Sequence, residues 1–151
     1  MNEILKTVFL SILPISELRG AIPYAIANNI NPLFAFFISV LGNFLVVPLG
    51  FFFLDYLHKH FLKIKSYKHF FNKYVEIKRK SFEKHVGTKF EFWALMIFVL
   101  IPLPLTGAYS GTLIAWLFNL KRRKSYLAIF LGILGAGIIV TLTTIGIKSL
   151  F

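Results

Sequence analysis

The chain has 151 residues, 57% of them hydrophobic, and its mean hydropathy is +0.73. A soluble domain of this length does not need so much apolar surface, so the composition excludes that class and indicates a single-domain integral membrane protein. Cysteine is absent, which excludes disulfides, thiolate catalysis and cysteine-ligated metals.

The formal net charge of +11 comes from clustered basic residues. Ten of the 17 Lys and Arg residues lie within residues 58–89, and four more form residues 121–124. Such clusters can bind nucleic acid, but in a membrane protein the excess of positive charge on cytoplasmic loops accounts for them. No nucleic-acid partner is therefore predicted.

The first apolar segment, residues 4–27, is interrupted by helix-breaking residues between Pro14 and Gly20. A signal peptide is not predicted, because Glu17 and Arg19 stand where cleavage would occur. A carboxylate and a guanidinium at membrane depth are costly and usually functional. Broken backbone at that depth is tolerated only inside protein or beside a watery cavity, so this segment is the first candidate site.

Two other apolar segments are long enough to cross a bilayer. Residues 33–54 and 127–147 would span about 33 and 31 Å as helices, and the hydrocarbon core is about 30 Å thick. The segment between them, residues 90–118, is interrupted by prolines and a glycine within residues 102–107. Both interrupted segments divide into pieces of about 10 to 12 residues, which reach only the bilayer midplane. Each is predicted to form a re-entrant helical hairpin.

The predicted fold is an all-α integral membrane protein with two inverted repeats, each a re-entrant helical hairpin followed by a transmembrane helix. Within this single membrane domain, repeat 1 is residues 1–57, the linker is residues 58–89 and repeat 2 is residues 90–151. The plan places the linker and the loop 120–126 on the cytoplasmic face and both termini outside, as the positive-inside rule favours. Inverted repeats with broken helices are typical of transporters whose site lies where the breaks meet.

The linker has apolar residues at near-helical spacing among its lysines, at positions 61, 64, 71, 74, 75, 82 and 86. This pattern predicts a basic amphipathic helix that ends near Gly87. The helix either lies on the anionic cytoplasmic leaflet or packs against its own membrane domain, and the pattern favours neither. All four histidines also lie in the linker, and their spacing does not predict a metal site.

Glu17 and Arg19 are the leading candidates for binding a substrate or an ion. Ser16 is placed to cap the second half-helix, with Glu17 at the positive end of its dipole. A titratable Glu17 would couple transport to protons, and Arg19 would hold a phosphate or a carboxylate with its bidentate fork. The alternative is a structural role, in which both side chains bind backbone groups or each other.

The second interruption supplies the other candidate binding residues, which are Thr106, Gly107, Tyr109 and Ser110. Thr106 is placed to cap the following helix, whose free N–H groups would bind an anion near the midplane. Tyr109 and Ser110 add hydroxyl groups. Several small residues at helical spacing are interpreted as packing surfaces for neighbouring helices; they are Gly107, Gly111, Ala115, Gly132, Gly135 and Ala136.

Other polar residues in the apolar segments are interpreted as structural. Asn43 is expected to form an interhelical hydrogen bond rather than to bind a ligand, and Asp55 is expected to form an ordinary surface pair with Lys59. Residues 108–111 resemble the Gly-x-Ser-Gly loop of rhomboid proteases, but the first residue is alanine and no histidine lies in an apolar segment to act as a base. No enzyme activity, metal or cofactor is therefore predicted.

The two interruptions together resemble the signature segments of the small multi-drug export protein family. They read Pro-Ile-Ser-Glu-Leu-Arg-Gly-Ala-Ile-Pro at residues 14–23 and Pro-Leu-Pro-Leu-Thr-Gly-Ala-Tyr-Ser-Gly at residues 102–111. The resemblance covers essentially the whole chain and implies export of small molecules. The plan also resembles that of the DedA/VTT group, whose paired re-entrant hairpins are associated with translocation of lipids such as polyprenyl phosphates. The chain is shorter than members of that group and lacks their arginine-rich stretch.

The sequence therefore predicts a small multi-pass transporter of the cell membrane with a midplane site between two hairpins. Its substrate is either a small amphipathic or cationic molecule, as the export family implies, or an anionic lipid, which Arg19 and the half-helix N-termini favour. A non-transporting membrane scaffold that recruits partners through the linker is the third hypothesis. Expected partners are membrane lipid and a second copy of the chain, because two spans and two hairpins provide little protein around a charged site.

Overall fold

The computed structural model describes residues 2–83, 86–88, 90–103 and 106–150, and the regular structure of these residues is helical. Pro104 and Leu105 of the predicted second interruption lie outside the described residues, as do His85 and Lys89 of the linker. The helices are α1 (Glu3–Ile12), α2 (Glu17–Ala27), α3 (Pro32–Phe52), α4 (His58–Phe61), α5 (Lys65–Phe82), α6 (Glu91–Leu100), α7 (Ala108–Leu117) and α8 (Arg122–Leu150), with a π-helical turn (Phe53–Leu57) between α3 and α4.

Both interrupted segments are divided into two short helices, as predicted. Helix α1 ends where Leu13 adopts an extended conformation (φ −67°, ψ 134°), and α6 ends in the same way at Ile101 (φ −70°, ψ 117°). Each of these residues precedes a proline, which disfavours the helical conformation for its predecessor. The four helices have 10 or 11 residues apiece, a length of about 15 Å. We call residues 13–16 the first break, and the described residues 101–103 and 106–107 the second break.

Two helices among the described residues are long and apolar enough to cross a membrane. One is the continuous helix Pro32–Phe61, which has 30 residues and comprises α3, the π-helical turn and α4, and the other is α8, with 29 residues. Both are longer than the apolar segments that predict them. Lysine and arginine are good helix formers, so a helix continues past the point where hydrophobicity falls. The first long helix therefore runs beyond residue 58, the predicted start of the linker.

Asp55 pairs with Arg122 at the start of α8. The predicted pair of Asp55 with Lys59 is therefore wrong. Its carboxylate lies 3.1 Å from the Arg122 guanidinium and accepts a hydrogen bond of 3.0 Å from the indole N–H of Trp116. Asp55 lies in the π-helical turn, whose wider turn removes the i, i+4 spacing on which the predicted surface pair depends. The ion pair instead joins the ends of the two long helices.

The core forms where α8 packs against α6, α3 and α2. Glycines allow the close approach of these helices. A Cβ atom at Gly132 would lie 2.7 Å from the Met96 carbonyl oxygen, and one at Gly111 would lie 2.6 Å from a Val99 methyl group. The interpretation of these two glycines as packing positions is therefore confirmed. The same packing brings the two breaks together, because α2 contacts α8 and α3 contacts α7.

The linker helix is shorter than predicted. It begins at Lys65 and ends at Phe82, whereas Gly87, its predicted end, adopts a φ of +75° beyond the helix. Phe61 belongs to α4 and not to the linker helix. The near-helical spacing of apolar residues continues across the boundary between α4 and α5, so the pattern alone does not show the break between them.

Candidate functional site

Arg19 binds the backbone of the second break. One Nη atom donates to the carbonyl oxygen of Leu103, and the other donates to the Thr106 carbonyl oxygen at 2.8 Å and to its hydroxyl at 3.0 Å. A guanidinium presents several donors in a fixed fork, which suits it to this task. Arg19 belongs to α2, and its partners lie more than 80 residues later in the sequence. Its side chain therefore joins the two interrupted segments directly.

Glu17 is the first residue of α2, and its side chain contacts the N-terminus of α7. Its carboxylate accepts a hydrogen bond from the backbone N–H of Tyr109 and lies 4.0 Å from the Arg19 guanidinium. Only 5% of Glu17 is exposed. A buried carboxylate is stabilised by the unpaired N–H groups at a helix N-terminus, so Glu17 caps α7 from outside that segment. Its backbone has a φ of +47°, an uncommon conformation for a residue with a side chain.

Ser16 occupies the N-cap position of α2 with Glu17 in the first turn, as predicted, but the predicted cap of α7 at Thr106 is wrong. Ser16 makes no capping hydrogen bond to α2. The hydroxyl of Thr106 donates to backbone carbonyl oxygens of the second break at 2.7 Å, and the cap position of α7 belongs to Gly107. The sequence places a capping side chain next to each helix, but here the capping carboxylate comes from the other segment.

Gly107 and Tyr109 complete the junction between the breaks. Gly107 has a φ of +121°, and a Cβ atom there would overlap the Glu17 carboxylate, with the Glu17 Cδ at 2.9 Å. Glycine is therefore required both for this backbone conformation and for the space. The Tyr109 hydroxyl donates to the carbonyl oxygen of Ile12, at the end of α1. Each segment thus binds backbone groups of the other.

A cavity of about 560 Å³ lies between the two breaks and α5. Four of the six predicted site residues line it: Glu17, Thr106, Tyr109 and Ser110. Most of the other lining side chains are aliphatic or aromatic, and they come from α1, α3, α5 and α7. A mainly apolar pocket with a few convergent polar groups is the usual form of a small-molecule site. The structure therefore brings these four predicted residues to one concave site, whereas Arg19 and Gly107 are not among its described lining residues.

Glu17, Arg19 and the second break fall within the range that a protein-family model matches. A family model described as "Putative small multi-drug export protein" matches residues 17–139, about four fifths of the chain. The chain belongs to this family. The matched range begins at Glu17 and includes the second break, so the family model covers both partners of the junction. No curated protein and no solved structure matches the chain.

Membership of the small multi-drug export family and two helices able to cross a bilayer together identify a membrane protein from a family named for export. The resemblance stated from the two interruptions is confirmed by this match. The similarity to the DedA/VTT group in overall plan stays a prediction.

Four aromatic residues of α5 also line the cavity in this member of the small multi-drug export family. None of them is among the site residues predicted from the sequence. They are Tyr67, Phe70, Phe71 and Tyr74. Their spacing of i, i+3, i+4 and i+7 places them on one side of a helix, which is the signal that could have found them. Helix α5 therefore packs against its own domain, one of the two arrangements that the sequence leaves open.

Two polar contacts hold α5 in place. The hydroxyls of Tyr74 and Ser110 form a hydrogen bond of 2.6 Å, and a ring nitrogen of the buried His58 lies 3.0 Å from the Tyr67 hydroxyl. Burial raises the pKa of Tyr74, so its hydroxyl keeps its proton at neutral pH. Ser110 therefore lies at the contact between the cavity and α5.

Asn43 does not form the predicted interhelical hydrogen bond. It is 1% exposed, and both polar atoms of its side chain lack a hydrogen-bond partner among the described residues. Together with Glu17, Arg19 and Gly107, it lines a narrow gap behind the junction of the breaks. Val99 and Ile133 also line this gap and offer the amide no hydrogen-bond partner.

Proposed function

We propose that the protein is a small multi-pass membrane transporter that exports amphipathic cations through the cavity at the junction of the two breaks. The observation that carries the proposal is the combination of one buried carboxylate, Glu17, with a cavity lined mainly by apolar and aromatic side chains. A carboxylate attracts a positive charge, and the surrounding rings and alkyl groups accommodate an apolar body.

The charges around the cavity favour a cation over an anion. Glu17 lines the cavity, whereas Arg19 is absent from its described lining. The Nη atoms of Arg19 donate hydrogen bonds to the second break instead. The N-terminus of α7 is occupied by Glu17 and so is not free for an anionic headgroup. Aromatic faces from α5 add favourable cation–π contacts. These observations support the cationic substrate over the anionic lipid.

The proposed architecture in the membrane is the inverted repeat. In this arrangement α1 with α2, and α6 with α7, are re-entrant hairpins that meet near the midplane from opposite faces, each followed by a spanning helix. The short helices of about 15 Å support this arrangement, since each equals half of a hydrocarbon core. Their exposed apolar side chains, such as Phe9 and Trp93, would contact lipid or the second copy in the proposed homodimer.

Topology can be tested with single cysteines, because the natural chain has none. We expect Lys65→Cys and Arg122→Cys to react with a membrane-impermeant maleimide only from the cytoplasmic side, and Asn2→Cys only from outside, in intact and inverted vesicles. Reaction of positions 65 and 122 from opposite sides would contradict the re-entrant second segment. It would mean that residues 90–118 cross the membrane once and place these two positions on opposite faces.

Glu17→Gln tests the site itself. Glutamine keeps an oxygen to accept the Tyr109 N–H but removes the charge, so the α7 cap should persist while attraction for a cation is lost. In proteoliposomes, we expect the initial rate of ethidium transport to fall about tenfold or more. The rate is to be measured at a temperature where the variant is folded, because Glu17→Gln also leaves the Arg19 guanidinium without its partner and lowers the unfolding temperature. Glu76→Gln is the matched control, because Glu76 is an exposed residue of α5 paired with Lys80, and it should transport at the normal rate.

Other outcomes would support the alternatives. Translocation of a fluorescent phosphate-headgroup lipid without ethidium transport would support the anionic-lipid hypothesis and contradict this proposal. A wild-type protein that moves neither probe in sealed vesicles would favour the scaffold. Normal ethidium transport by Glu17→Gln would show that a transport site exists elsewhere in the chain.

A further inference from the structure

Asn43 is a buried amide whose polar atoms are unsatisfied in the middle of a long apolar helix. It is the twelfth residue of the 30-residue helix Pro32–Phe61, so it lies far from both ends. The amide nitrogen and oxygen have no partner among the described residues, and the gap beside them has no room for a water molecule. A buried polar group left in this way is costly and calls for an explanation.

Arg19 lines the same gap and also has a buried polar atom without a hydrogen-bond partner. Its Nη atoms are bound to the second break, but its Nε is buried without a partner among the described residues. If the breaks separate during transport, Arg19 loses the carbonyl oxygens of Leu103 and Thr106. A guanidinium at membrane depth without acceptors costs far more than an unpaired amide. Arg19 therefore needs a second acceptor within reach.

We propose that Asn43 is a positioning residue that accepts hydrogen bonds from Arg19 in the state where the two breaks have separated. Asn43 lines the same gap as Arg19, and its side-chain oxygen has no hydrogen-bond partner among the described residues in the observed state. It thereby lowers the free energy of the separated state relative to the joined one. This inference rests on the proposed transport function, since it assigns Asn43 to a step of the transport cycle.

The test is Asn43→Leu in the ethidium proteoliposome assay, together with thermal unfolding in detergent. Leucine has a similar size and removes two unsatisfied polar atoms, so the observed state should be at least as stable as in the natural chain. We expect the maximal transport rate to fall about tenfold or more while KM stays within about twofold, because the substrate site is intact and only the conformational step is impaired. An ordinary buried asparagine would show the gain in stability without the loss of rate.

Ser39→Ala is the matched control. Ser39 lies one turn earlier on the same helix, is fully buried, and its hydroxyl also lacks a partner among the described residues. This substitution should preserve both stability and the transport rate. A second pair, Asn43→Ser and Asn43→Ala, differs only by one hydroxyl group. The serine variant should transport faster than the alanine variant, because the hydroxyl oxygen can accept from Arg19.

The possible results separate this inference from the transport proposal. Asn43→Leu with a normal maximal rate would overturn the inference and leave the transport proposal standing. A raised KM with a normal rate would also overturn it, since Asn43 would then contact substrate directly. If Asn43→Leu fails to fold, equal rates for the serine and alanine variants would overturn it. Absence of ethidium transport by the natural chain would remove the transport proposal, and this inference with it.

Discussion

Gly107→Ala is expected to be among the most damaging single substitutions in the chain. The alanine must adopt a φ near +121°, and its Cβ must displace the Glu17 carboxylate from the N-terminus of α7. Backbone strain and the loss of a buried charged cap add together, so we expect a loss of about 3 kcal/mol or more in the free energy of unfolding. Thermal unfolding in detergent, followed by circular dichroism, would measure it, and transport should be lost as well.

Two other glycines separate the causes of this effect. Gly87 also has a positive φ, of +75°, but a Cβ there meets nothing within 4 Å, so Gly87→Ala should cost only the backbone strain of about 1 kcal/mol. Gly146 lies within α8 with open space around it, so Gly146→Ala should be neutral or slightly stabilising. If Gly107→Ala proved as mild as Gly87→Ala, the described contact between Gly107 and Glu17 would be wrong.

Much of the fold follows from the sequence because hydrophobicity and proline placement are local signals. The two long apolar segments predict the two long helices, and the prolines after Leu13 and Ile101 predict where the short helices end. The lengths of the long helices are less predictable, because helices extend into basic residues that hydropathy does not count. The arrangement of these helices in a bilayer stays a prediction.

The candidate site is predictable in its members but not in its contacts. Charged and polar residues beside helix-breaking residues stand out in an apolar segment. Glu17, Arg19 and Tyr109 are therefore identified by their positions in the sequence alone. Their partners are not, because each binds backbone groups of the other segment, which no local pattern reveals. The predicted cap of α7 at Thr106 is wrong for this reason, whereas Ser16 does occupy the N-cap position of α2.

The observed contacts give both charged residues a structural role in addition to the proposed transport role. Arg19 donates to the carbonyl oxygens of Leu103 and Thr106 in the second break, and Glu17 accepts from the backbone N–H of Tyr109 in α7. The two roles are compatible if the junction between the breaks is the gate. In the proposed mechanism, a substrate cation bound at Glu17 would compete with α7 and Arg19 for the carboxylate and would weaken the contacts that hold the breaks together.

Arg19→Gln is expected to lower stability nearly as much as Gly107→Ala. The substitution leaves the Thr106 carbonyl oxygen without its Arg19 donor, removes one of the donors to the Leu103 carbonyl oxygen, and removes the positive charge 4.0 Å from the buried Glu17 carboxylate. Breaking a buried ion pair on one side costs about 3–5 kcal/mol, because the remaining charge is uncompensated. Arg122→Gln is the control, since Arg122 forms a partly exposed pair with Asp55 and should cost about 1 kcal/mol or less.

A double-mutant cycle with Glu17→Gln divides the cost of Arg19→Gln into its two parts. Neutralising Glu17 removes the uncompensated charge, but the second break still lacks the Arg19 hydrogen bonds to Leu103 and Thr106. Arg19→Gln should therefore cost less in the Glu17→Gln background than in the natural chain, by about 1–3 kcal/mol. Equal costs in both backgrounds would mean that the two charges do not interact and that Arg19 acts only on the backbone of the second break. The competition of substrate with Arg19 for Glu17 would then have no physical basis.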